Sequence, residues 1–291
     1  MVSAQFRRPY RSFLYVPADR PEMLARAAGR GADALIVDLE DAVAEQAKDQ
    51  ARATLTAWLD TLGPSPHPAV WVRVNNRPDR LAADVTAAAH AAIAGIVVPK
   101  AEQPETIAAI AARLPDHASV IPLVESARGV LAAAHLAAAP RVDRLALGEA
   151  DLAADLGVEP SPQALEFLAV RTQIVLVSAA AGIRPPLGPV ATDFTDLAAF
   201  ESSTRAVHRL GFGSRSAIHP AQVAVINRVF TPTPAGAAQA RRLVEAAAAF
   251  GRAGAGVFVG DDGTMVDEAI VRRARRIVEL ADAYGVSPEE A

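Results

Sequence analysis

An α/β barrel of the (β/α)8 type with a helical tail is the fold this sequence predicts, and three observations predict it. Eight short runs rich in β-branched residues recur between positions 12 and 220, most are followed by an alanine-rich segment of helical period, and nearly every run ends in a polar side chain. Runs of this kind belong to parallel strands buried on both faces. Eight of them close most simply into a barrel, and 291 residues of 51% hydrophobic composition suffice for one such domain and an appendage. An open doubly wound sheet is the competing arrangement. It is disfavoured because no G-x-G-x-x-G follows the first run and no G-x-x-x-x-G-K-[ST] occurs anywhere.

In chain order the runs are SFLYVPA (12–18), ALIVDLED (34–41), VWVRVN (70–75), GIVVPK (95–100), VIPLVES (120–126), RLALGEAD (144–151), PPLGPV (185–190) and RSAIHP (215–220). Between them, segments such as PETIAAIAARL and RGVLAAAHLAAA repeat apolar residues three and four apart, as a helix with a buried face requires. After Phe230, TPTP reads as a linker, followed by a helix near Ala235–Phe250, a glycine-rich GRAGAGVFVGDDG and a final helix from about Val266 to Tyr284. A closed barrel has no place for this tail. The expected organisation is a catalytic barrel at 1–230 and a C-terminal helical extension at 231–291 that packs outside it, on a neighbouring subunit.

Composition removes several function classes. The 29 basic residues against 33 acidic ones are scattered, which disfavours a nucleic-acid partner. With no cysteine, disulfides, thiolate nucleophiles and thiolate metal sites are absent, so any metal must have oxygen or imidazole ligands. The basic start MVSAQFRRPYRS runs into FLYVPAD, too short and too soon polar for a signal peptide, and no stretch approaches the roughly 20 apolar residues of a membrane span. A soluble cytoplasmic protein without a membrane partner is expected.

The C-terminal ends of barrel strands converge on one face, where active sites are built. Here those ends carry Glu40 and Asp41, Arg73 and Asn75, Lys100, Glu125, Glu149 and Asp151, and His219. Singly, each has an ordinary structural reading: a helix cap for Glu40 or Asp41, a bridge to Arg128 for Glu125, a turn for His219. Their coincidence at one rim points to a site. Glu125 and Asp151 come from consecutive strands about 4.8 Å apart, so both carboxylates reach one ion, and oxygen donors alone suit Mg2+. A proton-sharing carboxylate pair is the alternative, but it leaves Arg73 and Lys100 unexplained.

Arg73 suits bidentate recognition of a carboxylate, and the substrate should be anionic. Lys100, one of only two lysines beside 27 arginines, suits either a Schiff-base nucleophile or a cation for phosphate or carboxylate. His90, His135 and His208 fall in helical segments as packing or surface residues, and the charges of VRRARRIVEL read as a solvated helix face.

The stretches LYVPADRPEML, GADALIVDLEDAV with Lys48 and Arg52 after it, VRVN, GIVVPKAE, LVESARGV, LGEADLAADLG and AIHPAQ, in this order, resemble the citrate lyase β-subunit-like proteins of the HpcH/HpaI aldolase superfamily. The likeness runs from about Arg11 to Phe230. The tail GVFVGDDGTMVDEAIVRRARRIV is similar to the extension of the longer members, the malyl-CoA and citramalyl-CoA lyases. The resemblance implies a TIM barrel that binds Mg2+, or Mn2+ in its place, through Glu125 and Asp151, with Glu40 and Asp41 supporting the metal's water shell. It implies Arg73 on the reacting oxyanion, Lys100 toward the CoA end, and the backbone at Glu149 and Ala150 facing the substrate. Asp267 of MVDEA is implied as an acid-base group lent by a neighbouring subunit, hence a homo-oligomer, trimer or hexamer.

Two departures stand out: Glu149 occupies a position where many relatives carry alanine or glycine, and PPLGPV replaces the commoner strand-seven text. The implied reaction is cleavage or formation of a 3-hydroxy-dicarboxyl-CoA thioester, with acyl-CoA and a 2-oxo acid as partners. A class II aldolase on free hydroxy-oxo acids and a non-catalytic acyl-CoA-binding paralogue are the alternatives.

Overall fold

A computed structural model of the chain describes residues 9–63, 68–252, 258–259 and 265–287. Eight parallel strands pair in chain order and close on themselves: β1 Ser12–Pro17, β2 Ala34–Asp38, β3 Ala69–Arg73, β4 Ile93–Val98, β5 Ser119–Val124, β6 Ala146–Leu147, β7 Leu187–Gly188 and β8 Ser214–Ala217, which returns to β1. The connections carry α1 Pro21–Ala27, α2 Lys48–Leu59, α3 Leu81–Ala88, α4 Pro104–Ala111, α5 Ala127–Ala137, then both α6 Glu149–Leu156 and α7 Leu168–Ala180, α8 Leu197–Leu210, and α9 Pro220–Phe230 after β8.

Strand pleating decides what fills the barrel. Alternate residues face inward, and Phe13, Ile36, Trp71, Ile121, Leu123 and Leu187 meet in the interior. Burying each large apolar side chain stabilises the fold by roughly 1.5–3 kcal/mol. The widest of them, Trp71, needs Gly95 beside it: a Cβ there would stand 2.4 Å from the indole and 2.0 Å from the Ser119 carbonyl oxygen.

Two runs contribute less strand than expected. PPLGPV yields only Leu187–Gly188, because its prolines lack the N–H that a ladder uses. RLALGEAD yields only Ala146–Leu147, and Glu149 and Asp151 lie not at a strand end but in the first turn of α6. EADLAADL is made of strong helix formers, Gly148 supplies the extended N-cap, and acidic residues are favoured near a helix N-terminus. His90 is likewise outside α3, which Ala89 ends at ψ 70°, and its Nδ1 accepts from the Ala92 N–H.

The chain divides into two compact units, Tyr10–Val229 and a second made of Met1–Pro9 with Phe230–Ala291. The second unit contains α10 Pro234–Arg252, a two-residue pairing of β9 Phe258–Val259 with β10 Met265–Val266, and α11 Glu268–Ala283. Within this unit the Tyr284 hydroxyl, just past α11, donates to the Pro9 carbonyl at 2.9 Å. The last helix starts after Val266, which belongs to β10, because Asp267 caps it: the carboxylate accepts from the Ile270 N–H at 3.0 Å. Most of GRAGAGVFVGDDG lies outside the described residues. Among the described residues no helix is long and apolar enough to cross a membrane.

Candidate active site

The period-two alternation that fills the barrel also builds its mouth. On β2, Ala34, Ile36 and Asp38 share the inward face; on β3, Ala69, Trp71 and Arg73 do so, and Glu125 continues the face of Ile121 and Leu123 just past β5. Asp38 and Arg73 are register partners on adjacent strands. The aspartate is completely buried and accepts four hydrogen bonds: from Arg73 Nε at 2.7 Å and Nη2 at 2.6 Å, and from the Glu40 and Ala42 N–H groups at 2.9 and 3.0 Å.

The guanidinium fork expected to grip a substrate carboxylate is therefore occupied by Asp38. Its remaining nitrogen, Nη1, stands 2.9 Å from Glu40 Oε2 and 3.5 Å from Asp41 Oδ2. Tyr15 lies beneath the guanidinium, 4.9 Å from its ring centroid. Burial alone would lower the Arg73 pKa, but Asp38, Tyr15 and Glu40 together raise it above the ordinary arginine value, so the cation is permanent. Burial pushes the Tyr15 phenol up, against the pull of Arg73.

Glu125 is 4% exposed, and burial lifts its carboxyl to about 7; the Lys100 amide opposes this, while the charges of Glu40 and Asp151 add to it. One oxygen accepts the Lys100 N–H at 2.7 Å. To present that N–H, Lys100 adopts φ 47°, a left-handed conformation that costs a non-glycine residue about 1–2 kcal/mol. Asn76 holds the corner by donating to the carbonyls of Pro99 and Lys100. Gly148 lets the α6 backbone approach from the other side, since a Cβ there would stand 2.5 Å from Glu125 Oε2.

The Lys100 ammonium donates to Glu40 Oε1 at 2.8 Å. Burial favours the neutral amine, yet the bond and charge of Glu40 raise the Lys100 pKa above the ordinary lysine value. That is the opposite of what a Schiff-base nucleophile needs. Burial raises the Glu40 carboxyl as well, against the pull of Arg73 and Lys100. The other lysine, Lys48, is buried and donates to the carbonyls of Leu39 and Glu40, so both lysines fasten the loop that follows β2.

A cavity of about 220 Å³ opens at this mouth, lined by Tyr15, Asp41, Arg73, Glu125 and the 147–151 stretch, with Leu123, Val190, Ser216 and Ile218 completing the wall. Glu125, Asp151, Arg73, Asp41, Glu149 and Ala150 are thus brought together, with Glu40 and Lys100 bonded just behind. Asp267 belongs to the second unit, and His219 is exposed, stacked on Phe194 at 4.9 Å.

Among the described residues no group of three or more His, Asp or Glu side chains is placed to hold an ion unaided. The donor set nevertheless fits a hard divalent cation. Glu125 and Asp151 line one cavity, burial disfavours the charged form of Glu125 in a way that a bound cation would offset, and Mg2+ normally leaves its other positions to water and substrate.

Sequence reading missed Asp38, Tyr15, Gly148 and Arg171. Arg171 of α7 takes both oxygens of Glu149, at 2.6 Å each. Counting the pleat from Ala34 and Ile36 would have found Asp38.

Residues 11–220 match the model of the HpcH/HpaI aldolase/citrate lyase family. The chain belongs to this family. Within it, a citrate lyase subunit beta-like protein of Deinococcus radiodurans is 34% identical over 274 residues, covering 92% of this chain and 96% of that protein. A (3S)-malyl-CoA thioesterase of Cereibacter sphaeroides is 36% identical over 279 residues, covering 94% and 95%. The protein CitE from Mycobacterium tuberculosis, solved in complex with magnesium, acetoacetate and coenzyme A, is similar with a TM-score of 0.79 and 33% identity over 94% of this chain and 98% of that one. Membership in the HpcH/HpaI aldolase/citrate lyase family accounts for a parallel barrel with its polar residues gathered at one mouth.

Proposed function

We propose that the protein is a Mg2+-dependent carbon-carbon lyase that cleaves a 3-hydroxy-dicarboxyl-CoA thioester, such as malyl-CoA, citramalyl-CoA or citryl-CoA, into acetyl-CoA and a 2-oxo acid. The observation that carries the reading is the buried Glu125 carboxylate sharing a cavity with Asp151 and a fixed arginine. Relatives named for citrate lyase and for malyl-CoA chemistry, and a neighbour crystallised with magnesium and coenzyme A, support it.

Glu125 and Asp151 would hold the ion, which when bound polarises the substrate oxygen that becomes the ketone. Lys100 orients Glu125 through its amide. As the substrate hydroxyl gives its proton to solvent water and its C–O bond becomes the ketone, the electron pair of the breaking carbon-carbon bond passes to the thioester enolate. Arg73, locked by Asp38, faces oxygen-centred charge with no reorganisation, a contribution worth a few kcal/mol in a water-poor site. Asp267, lent by a neighbouring subunit of a homo-oligomer, returns a proton to the enolate carbon and completes acetyl-CoA.

The test is product analysis with the three thioesters and Mg2+. Acetyl-CoA and a 2-oxo acid should appear, and Glu125→Gln, Asp151→Asn or EDTA should abolish them; turnover indifferent to EDTA would overturn the reading. Thioester hydrolysis is a second reading, favoured by the 36% identity to a thioesterase. The same assay separates the two, because hydrolysis releases free CoA, and a cysteine-free chain adds no background to a thiol reagent.

A further inference from the structure

The cations around the cavity are already paired with carboxylates before any substrate arrives. Among the described residues Arg73 is the sole lysine or arginine in the cavity lining; its fork is taken by Asp38, and its third nitrogen, already beside Glu40 and Asp41, is the one left for the reacting oxygen. Behind the wall, the Lys100 ammonium is bonded to Glu40, and Arg171 has both ends of its fork on Glu149, a pair nearly buried at 10% and 13% side-chain exposure. The uncharged part of the wall is Leu123, Leu147, Val190 and Ile218, with the neutral hydroxyls of Tyr15 and Ser216 and the backbone of Gly148 and Ala150; none of these carries a positive charge.

From this inventory we infer that Glu149 is a specificity-determining residue that restricts the 2-oxo acid half of the substrate to a hydrogen or small apolar substituent. The inference rests on the lyase reading above. The ion and its water shell would serve one carboxylate and the adjacent oxygen. The carboxymethyl group that citryl-CoA carries on the same carbon meets, among the described residues, no uncommitted cation; it meets the wall that includes Glu149, a carboxylate whose charge is already balanced by Arg171 and which offers an incoming anion nothing. An anion moved into such a wall loses water and gains no partner, so exclusion follows from an unmet charge rather than from size. Malyl-CoA and citramalyl-CoA, whose product acids carry hydrogen or methyl there, avoid that penalty. Arg171 has the complementary role: it keeps Glu149 folded into the wall and becomes an anion receptor once Glu149 loses its charge.

The experiment compares kcat/KM for the three thioesters with the full-length protein and Mg2+. The expected result is that malyl-CoA or citramalyl-CoA exceeds citryl-CoA by roughly a hundredfold or more, the scale on which a site with unmatched polar groups discriminates. Glu149→Gln, which keeps the volume and removes the charge, should shift the citryl-to-citramalyl ratio at least tenfold toward citryl-CoA; a purely structural role would lower all three together. Equal use of citryl-CoA by the wild type, or an unchanged ratio in the variant, would overturn the inference while leaving the lyase reading intact. Calorimetric binding of glyoxylate, pyruvate and oxaloacetate to the Mg2+-loaded wild type needs neither a stable variant nor turnover. Oxaloacetate should bind weakest, and oxaloacetate binding as tightly as pyruvate would overturn the inference even if no thioester is cleaved.

Discussion

Asp38→Asn should be among the most damaging single substitutions in the barrel. Its two oxygens serve four donors, and the residue is completely sealed from water. An asparagine placed either way turns its amide toward two of those donors, the pair at Oδ1 or the pair at Oδ2. It also leaves the Arg73 cation without its principal counter-charge. Removing one member of a buried ion pair costs about 3–5 kcal/mol. For a unit the size of Tyr10–Val229, each kcal/mol lowers Tm by about 2–4 °C, so a fall of roughly 6–20 °C is expected. Thermal unfolding by circular dichroism measures it. Asp38→Leu with Arg73→Met removes the ion pair but strands the Glu40 and Ala42 N–H groups and leaves Glu40 without Arg73, so it should stay well below the wild type in stability and show no catalysis. A shift under about 2 °C for Asp38→Asn would refute the reasoning.

Three further outcomes are expected. Metal-free protein should be less stable at pH 8 than at pH 5.5: the Glu125 pKa is raised in the fold, so its contribution is present below the ordinary glutamate range and lost as pH rises through about 7, a difference of about 2 kcal/mol between these two pH values, measurable by urea titration in chelator. Asp267→Asn should keep the cap of α11, since asparagine caps as well as aspartate, yet lose thioester cleavage measured as acetyl-CoA release; full cleavage would take Asp267 out of the reaction. Gly148→Ala should drive a methyl against Glu125 Oε2, destabilising by about 1–3 kcal/mol and weakening Mg2+ binding measured by calorimetry.

The barrel was legible because its determinants are local. Double-sided apolar runs such as ALIV and VWV mark parallel strands, and alanine-rich segments of helical period mark what covers them. The mouth was legible in outline, because a polar side chain has few reasons to end a buried run. What stayed hidden depends on pairings distant in sequence. That Arg73 spends its fork on a residue 35 positions earlier, and Glu149 is met by one 22 positions later, is set by strand register and helix packing rather than by neighbouring text. GEAD was misplaced on a strand because a four-residue window weighs the apolar residues before it more than the helix formers after it. The tail hairpin was missed because two paired residues per strand carry almost no pattern.

The bent corner at Lys100 offers a built-in reporter. Its amide hydrogen is pledged to a carboxylate instead of to a neighbouring strand, and its ammonium to a second carboxylate from another loop. Deuterium uptake at that single position therefore reads the tightness of the mouth directly, separately from the opening of the barrel around it. An occupant that clamps Glu125 in place will slow that one hydrogen first.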